Sequence, residues 1–254
     1  TGGRSVIDEY PILQVLHANG VRVPRPALAE PDASVLDTPF ILVERLPGGC
    51  GEIYRTPPSV SLLKDAAAAL ARFHRVPLNA YTDTGVILPS RQRTDVAADI
   101  DSIERVWEGG GPTSVAMPLA FRWLRANLDR AFQGAASLAH CDVRFHNILF
   151  EGETVTGLLD WELARATYPA EDLGYFRPTV TAVMPWEDFM AAYRAAGGPA
   201  VAEDQIDFYS IFTATRMASL SAGVNRVILA GQTRDIQLTA VPLHDIYIWI
   251  SELT

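Results

Sequence analysis

Between His140 and Phe150 the sequence reads HCDVRFHNILF. Asp142 and Asn147 stand five apart on this stretch, and Asp160 closes the next apolar run, VTGLLD. Asn and Asp supply oxygen ligands, which suit a hard cation. Mg²⁺ takes one or two protein carboxylates and fills its shell with water and substrate phosphate. A further carboxylate that the metal does not need is free to accept a proton from a hydroxyl nucleophile. One base, with a metal held by an Asn and an Asp, is the division of labour of phosphoryl transfer. Asp142 is the candidate base; Asn147 and Asp160 are the candidate metal ligands.

The neighbouring polar residues read more plainly. His140 is expected to pack and hydrogen-bond so as to hold the loop. Arg144 and His146 are open between a phosphate contact and a surface position. Cys141 has no His-plus-acid arrangement that would make it a nucleophile, so a buried small thiol is expected. His17, His74 and His244 read as structural. Glu162, Glu171, Glu187 and Asp188 fit either a subsite for a cationic substrate or carboxylates at helix N-termini, which the macrodipole favours.

The elements must bring these groups together. NILFE (147–151) and VTGLLD (155–160) read as two strands around a turn at EGET, a hairpin whose two ends lie side by side. One end carries Asn147 and the other Asp160, with Asp142 just ahead of the first. Upstream, SVIDEYPILQVLHANG (5–20) has helical spacing, a Ser5 cap and a Gly20 stop; Pro11 should kink or delay it. PFILVERL (39–46) reads as a buried strand and PGGCG (47–51) as a flexible break. SVSLLKDAAAALARFHRV (59–76) is a strong helix. Residues 79–94 read as loop, with helices near 95–107 and 116–132 and a strand-like SLAH (137–140). From 171 onward the pattern is helical, with breaks at Gly197-Gly198-Pro199 and around 231–235. TATRMASLSAG (213–223) reads as small-residue helix packing. The order implies an α+β fold with its function on the β-rich insert.

Composition sets the outer bounds. The chain has 254 residues, 48% hydrophobic and 20% charged, enough to bury a full core. Its net charge of −9 argues against nucleic acid and against an anionic membrane surface. Two cysteines build neither a disulfide framework nor a zinc site, so a reducing compartment is expected. With no membrane-length apolar run and no leader-like start, the expected location is cytoplasmic. Oligomeric state is not legible.

HCDVRFHN matches the H-x-D-x-x-x-x-N of protein-kinase catalytic loops, and LLDWE stands where that family has D-F-G. The stretch 138–176 resembles more closely the aminoglycoside phosphotransferase and choline kinase-like family of small-molecule kinases. In that family the loop usually reads H-G-D-x-x-x-x-N. The Asp-Trp-Glu variant is similar to kinase domains related to those fused to acyl-CoA dehydrogenases, which associates it with hydroxyacyl substrates. The resemblance implies a protein kinase-like bilobal fold, with a truncated N-lobe over 1–46 and a mostly helical C-lobe over 47–254 carrying the catalytic hairpin 138–162. It implies an Mg²⁺-dependent enzyme that moves the γ-phosphate of ATP or GTP to a hydroxyl of an aminoglycoside-like, amino-alcohol or hydroxyacyl compound. FILVERLPGG resembles the last N-lobe strand and hinge, where the carbonyl of Glu44 and the amide of Leu46 would meet the base. Leu149 and Leu159 would line its underside, and Asp172 would brace the loop. Glu9 stands where the family's ion-pair Glu lies. The only lysine is Lys64, on the Ala-rich helix, so the family's phosphate-binding lysine has no counterpart ahead of Glu9. Either the lysine belongs to residues that precede Thr1, or the protein is a nucleotide-binding pseudokinase, an alternative kept open beside a metal-dependent phosphohydrolase.

Overall fold

A computed structural model describes residues 5–51, 59–233 and 243–253. Along the chain the elements are α1 (Val6–Ala18), β1 (Pro26–Glu30), β2 (Phe40–Val43), β3 (Gly49–Cys50), α2 (Val60–His74) and α3 (Asn79–Thr82). They continue with α4 (Arg93–Glu108), α5 (Ala116–Ala126), β4 (Ser137–Ala139), β5 (Ile148–Glu151), β6 (Thr154–Leu158) and β7 (Arg165–Thr167). The chain ends in α6 (Pro169–Thr181), α7 (Trp186–Ala195), α8 (Glu203–Leu229) and α9 (Leu243–Ser251). It divides into two compact units, residues 1–90 with 134–201 and residues 91–133 with 202–254. The second half of the break expected near 231–235 lies outside the described residues. No described helix is long and apolar enough to cross a membrane.

The second unit is helical. α8 runs 27 residues and packs against α4, α5 and α9. Its buried face carries Thr213, Ala214, Thr215, Ala218, Ser219 and Ala222, small side chains that let neighbouring helices approach closely. α5 turns Met117, Ala120, Phe121 and Leu124 inward at helical spacing.

The first unit holds the strands. β1 pairs with β2, β3 with β5, β5 with β6, and β4 with β7, all antiparallel. α2 is capped by the Ser59 side chain, which accepts from the Leu62 amide at 3.1 Å, and it buries an Ala- and Leu-rich face against α7 and β6. α1 starts on the Ser5 cap as expected, but Pro11 neither delays nor ends it. Ile12, Leu13, Val15 and Leu16 are buried, and that packing outweighs the single backbone hydrogen bond a proline removes.

Three local expectations change. β2 is not buried: Leu42 is 51% exposed and Val43 40%, because among the described residues its sheet has two strands. PGGCG is not a flexible break, since Gly49 and Cys50 pair with Phe150 and Leu149. Residues on both sides of position 46 therefore belong to the first unit. β7 was not foreseen; a strand of three residues has too little pattern to read.

Candidate active site

The hairpin forms where the sequence places it. Gly152, at φ 59°, supplies the left-handed residue that a two-residue loop needs, and Glu151 faces Thr154 across the turn. At the open end Ile148 faces Leu158, and the Leu159 amide donates to the Asn147 carbonyl at 2.9 Å. This register brings Asn147 and Asp160 to adjacent strand ends.

Asp142 lies ahead of them, tied in by Asn147. The Asn147 Nδ2 donates to Oδ2 of Asp142 and to the Asp142 carbonyl, each at 3.0 Å. Both neighbours are acceptors, so the amide nitrogen must face them, and the Asn147 carbonyl oxygen is turned the other way. Oδ1 of Asp142 accepts from the Tyr175 hydroxyl at 2.6 Å. Asp160 is exposed and sits at φ 66°. A non-glycine residue in the left-handed region is strained, and such strain concentrates at functional sites. An amide oxygen and a carboxylate are hard donors and fit Mg²⁺. Among the described residues no group of three or more His, Cys, Asp or Glu could hold a metal alone, so such an ion would depend on water and phosphate.

The loop is braced from behind by Asp172, which is fully buried. Its Oδ1 accepts from the Cys141 amide at 2.7 Å, and its Oδ2 accepts from the His140 amide at 2.8 Å and lies 2.9 Å from Nε2 of His74. Nδ1 of His74 is 2.9 Å from the Tyr193 hydroxyl. Burial, with the Asp172 charge beside it, holds the Tyr193 phenol above its ordinary range. His140 is a neutral spacer by its partners. Its Nε2 meets the Leu159 carbonyl at 2.8 Å and so carries the proton, while its Nδ1 accepts the Asp142 amide at 3.3 Å. Both nitrogens are used, which leaves no role as a base. Cys141 is buried at φ 66°, a conformation that favours glycine.

After Asp160, Trp161 is wholly buried and packs on Phe73 and His140, with ring centroids 5.2 and 4.5 Å away. The Trp161 amide donates to Oε2 of Glu9 at 3.1 Å, so α1 holds the chain immediately after the candidate metal ligand. Arg144 lies 5.7 Å over the Tyr175 ring. His146 is half-buried, and its Nδ1 is buried with no hydrogen-bond partner among the described residues. Burial pushes its pKa down, the Asp142 charge pulls it back, and Arg144 lowers it again.

On the hairpin face Leu149 pairs with Gly157, and Leu46 lies over it. A Cβ at Gly157 would stand 2.4 Å from Leu46 Cδ1 and 3.6 Å from Leu149 Cδ1. Leu159, two residues beyond Gly157, shares that face by strand alternation. Glu44 is exposed; its amide donates to the Arg25 carbonyl at 2.9 Å and its carboxylate lies 3.7 Å from Arg25. Asp142, Asn147 and Asp160 thus converge, and Leu46 and Leu149 meet beside them. The acidic residues split: Glu171 is buried and paired with Arg165, whereas Glu162 is exposed. Glu187 and Asp188 lie in the first turn of α7. Tyr175 was missed. Its signal is the spacing Asp172–Tyr175, i to i+3, which puts both on one face of α6.

Similarity to known proteins points the same way. The chain is 28% identical over 255 residues to mouse acyl-CoA dehydrogenase family member 10, a match covering 88% of this chain but 23% of that protein. It thus spans under a quarter of that relative's length. Among solved structures, a protein of Ralstonia eutropha assigned to the aminoglycoside phosphotransferases superposes with a TM-score of 0.72 at 18% identity, covering 98% of this chain and 82% of the other. An aminoglycoside phosphotransferase APH(4)-Ia, in ternary complex with AMP-PNP and hygromycin B, superposes with a TM-score of 0.62 at 13% identity, covering 96% and 80%. The fold is therefore the protein kinase-like one. Residues 4–220 match the model of the phosphotransferase enzyme family, and the chain belongs to that family.

Proposed function

We propose that this chain transfers the γ-phosphate of ATP or GTP to a hydroxyl of a small molecule. The observation that carries the reading is the Asn147 side chain, whose nitrogen holds Asp142, on a hairpin end that the Leu159 amide joins to the segment leading into Asp160. A carboxylate and two further oxygen-bearing side chains thereby meet at one hairpin end. Asp142 orients the acceptor hydroxyl and takes its proton. Asn147 and Asp160 hold Mg²⁺, which when bound would neutralise charge on the transferred phosphate. Leu46, Leu149 and Leu159 flank the nucleotide base, with the Glu44 carbonyl and the Leu46 amide as its polar contacts. The nucleotide analogue and hygromycin B in the related structure support a nucleotide donor and a hydroxyl-bearing acceptor here. The acidic net charge of −9 makes nucleic acid an unsuitable partner.

Titration of Mg·ATP, together with turnover, tests the assignment. Asp142→Asn keeps the side chain's shape and cannot accept the proton. It should retain Mg·ATP affinity and lose about 10²–10⁴ in kcat. Asp160→Ala should lose the Mg²⁺-dependent part of the affinity. Wild-type turnover in Asp142→Asn, against a hydroxyl acceptor, would remove Asp142 as the base.

A further inference from the structure

We infer that Tyr175 is the positioning residue of the acceptor-activating carboxylate; the inference rests on Asp142 being the base. The Tyr175 hydroxyl donates to Oδ1 of Asp142 at 2.6 Å while Asn147 donates to Oδ2 at 3.0 Å. A carboxylate gripped on both oxygens cannot turn about its terminal bond without breaking both contacts. Each carboxylate oxygen has two lone-pair sites, so one on each stays open to an acceptor hydroxyl.

The ring is itself fixed. Tyr175 is 7% exposed and lies one turn after Asp172 on α6. Asp172 holds the loop backbone at His140 and Cys141, and Tyr175 holds the side chain that the loop presents. The same ring carries the Arg144 guanidinium 5.7 Å from its centre. One face of one helix therefore sets both the height of the loop and the plane of its base. A loose phosphoryl-transfer transition state leaves the protein mainly positioning and charge stabilisation to supply. The plane of Asp142 then counts directly toward rate.

The test is a double-substitution cycle in the full-length protein, using Mg·ATP hydrolysis with water as acceptor. Tyr175→Phe keeps the ring and its contact with Arg144 and removes only the hydroxyl. Its kcat should fall by about tenfold with KM for Mg·ATP unchanged. In the Asp142→Asn background the same substitution should leave kcat where it was, because no carboxylate plane remains to be held. Wild-type kcat in Tyr175→Phe overturns the proposal. So does a lowered melting temperature with unchanged kcat, which would make the residue a structural brace only. Equal losses from Tyr175→Phe in both backgrounds also overturn it, since the hydroxyl would then act independently of Asp142. If Asp142→Asn itself turns over at the wild-type rate, the base assignment has failed, and that arm is read before the Tyr175 arms.

Discussion

Two residues of the candidate active site, Cys141 and Asp160, hold positive φ without being glycine. The left-handed region costs an ordinary L-residue about 1–2 kcal/mol. Cys141 sits there because Asp172 claims its amide and the amide of His140 together, and this pair of charge-assisted bonds over-determines the backbone. Its Sγ is buried, so removing the side chain mixes lost packing with relieved strain. Comparing two replacements separates the terms. Cys141→Gly and Cys141→Ala both delete the thiol, and only Gly escapes the steric cost of the conformation. Thermal unfolding should rank Cys141→Gly above Cys141→Ala by about 1 kcal/mol, roughly 2–4 °C for a chain of this size. The reverse order would show that the loop does not keep this backbone in solution.

At the level of elements, the two-residue strand β3 matters more than its length suggests. It adds Gly49 and Cys50 to the edge of the β5–β6 hairpin, and the Gly51 amide donates to the Phe145 carbonyl at 3.0 Å. Gly48 makes the approach possible. Its φ is 93°, and a Cβ there would stand 2.3 Å from the Phe150 carbonyl oxygen, a backbone atom that cannot move aside. Gly49 has open space around the same position. Gly48→Ala should therefore destabilise by more than about 2 kcal/mol, with Gly49→Ala within about 1 kcal/mol of wild type in the same denaturant titration. Equal losses would mean that the pairing of β3 with β5 does not constrain position 48.

For the whole molecule, the site reads out as stability. A ligand that binds only the folded state stabilises it by RT ln(1 + [L]/Kd), about 2.7 kcal/mol at a hundredfold excess over Kd. Mg·ATP should raise the melting temperature more than ATP with chelator, because in the proposed function Asn147 and Asp160 contribute only through the cation. Asp160→Ala should erase the difference between the two conditions and keep the smaller shift from the base contacts proposed at Leu46 and Leu149. An unchanged magnesium-dependent shift in that variant would place the cation elsewhere.

Much of this was legible from local pattern. Ser5 as a cap, the helix over α2 and the turn at EGET are short-range features, decided by backbone hydrogen bonding and side-chain period within a few residues. The loop motif and the strand that leads to Asp160 lie close enough in sequence for a hairpin to join them, so their approach followed from the pattern too. The contacts made by residues far apart in the chain were a different matter. β2 looks like a core strand because Phe, Ile, Leu and Val suit burial anywhere; with one strand beside it among the described residues, Leu42 stands half in solvent. His74 reads as a helix-edge residue, yet tertiary packing places it between Asp172 and Tyr193, about a hundred positions away in the chain. Tyr175 carries no motif of its own, and its hydroxyl reaches Asp142 because α6 docks behind the loop. Residue type and local spacing decide which chemistry a segment can offer. Which oxygen of Asp142 is held, and by what, depends on the packing of distant elements, and only the tertiary structure settles that.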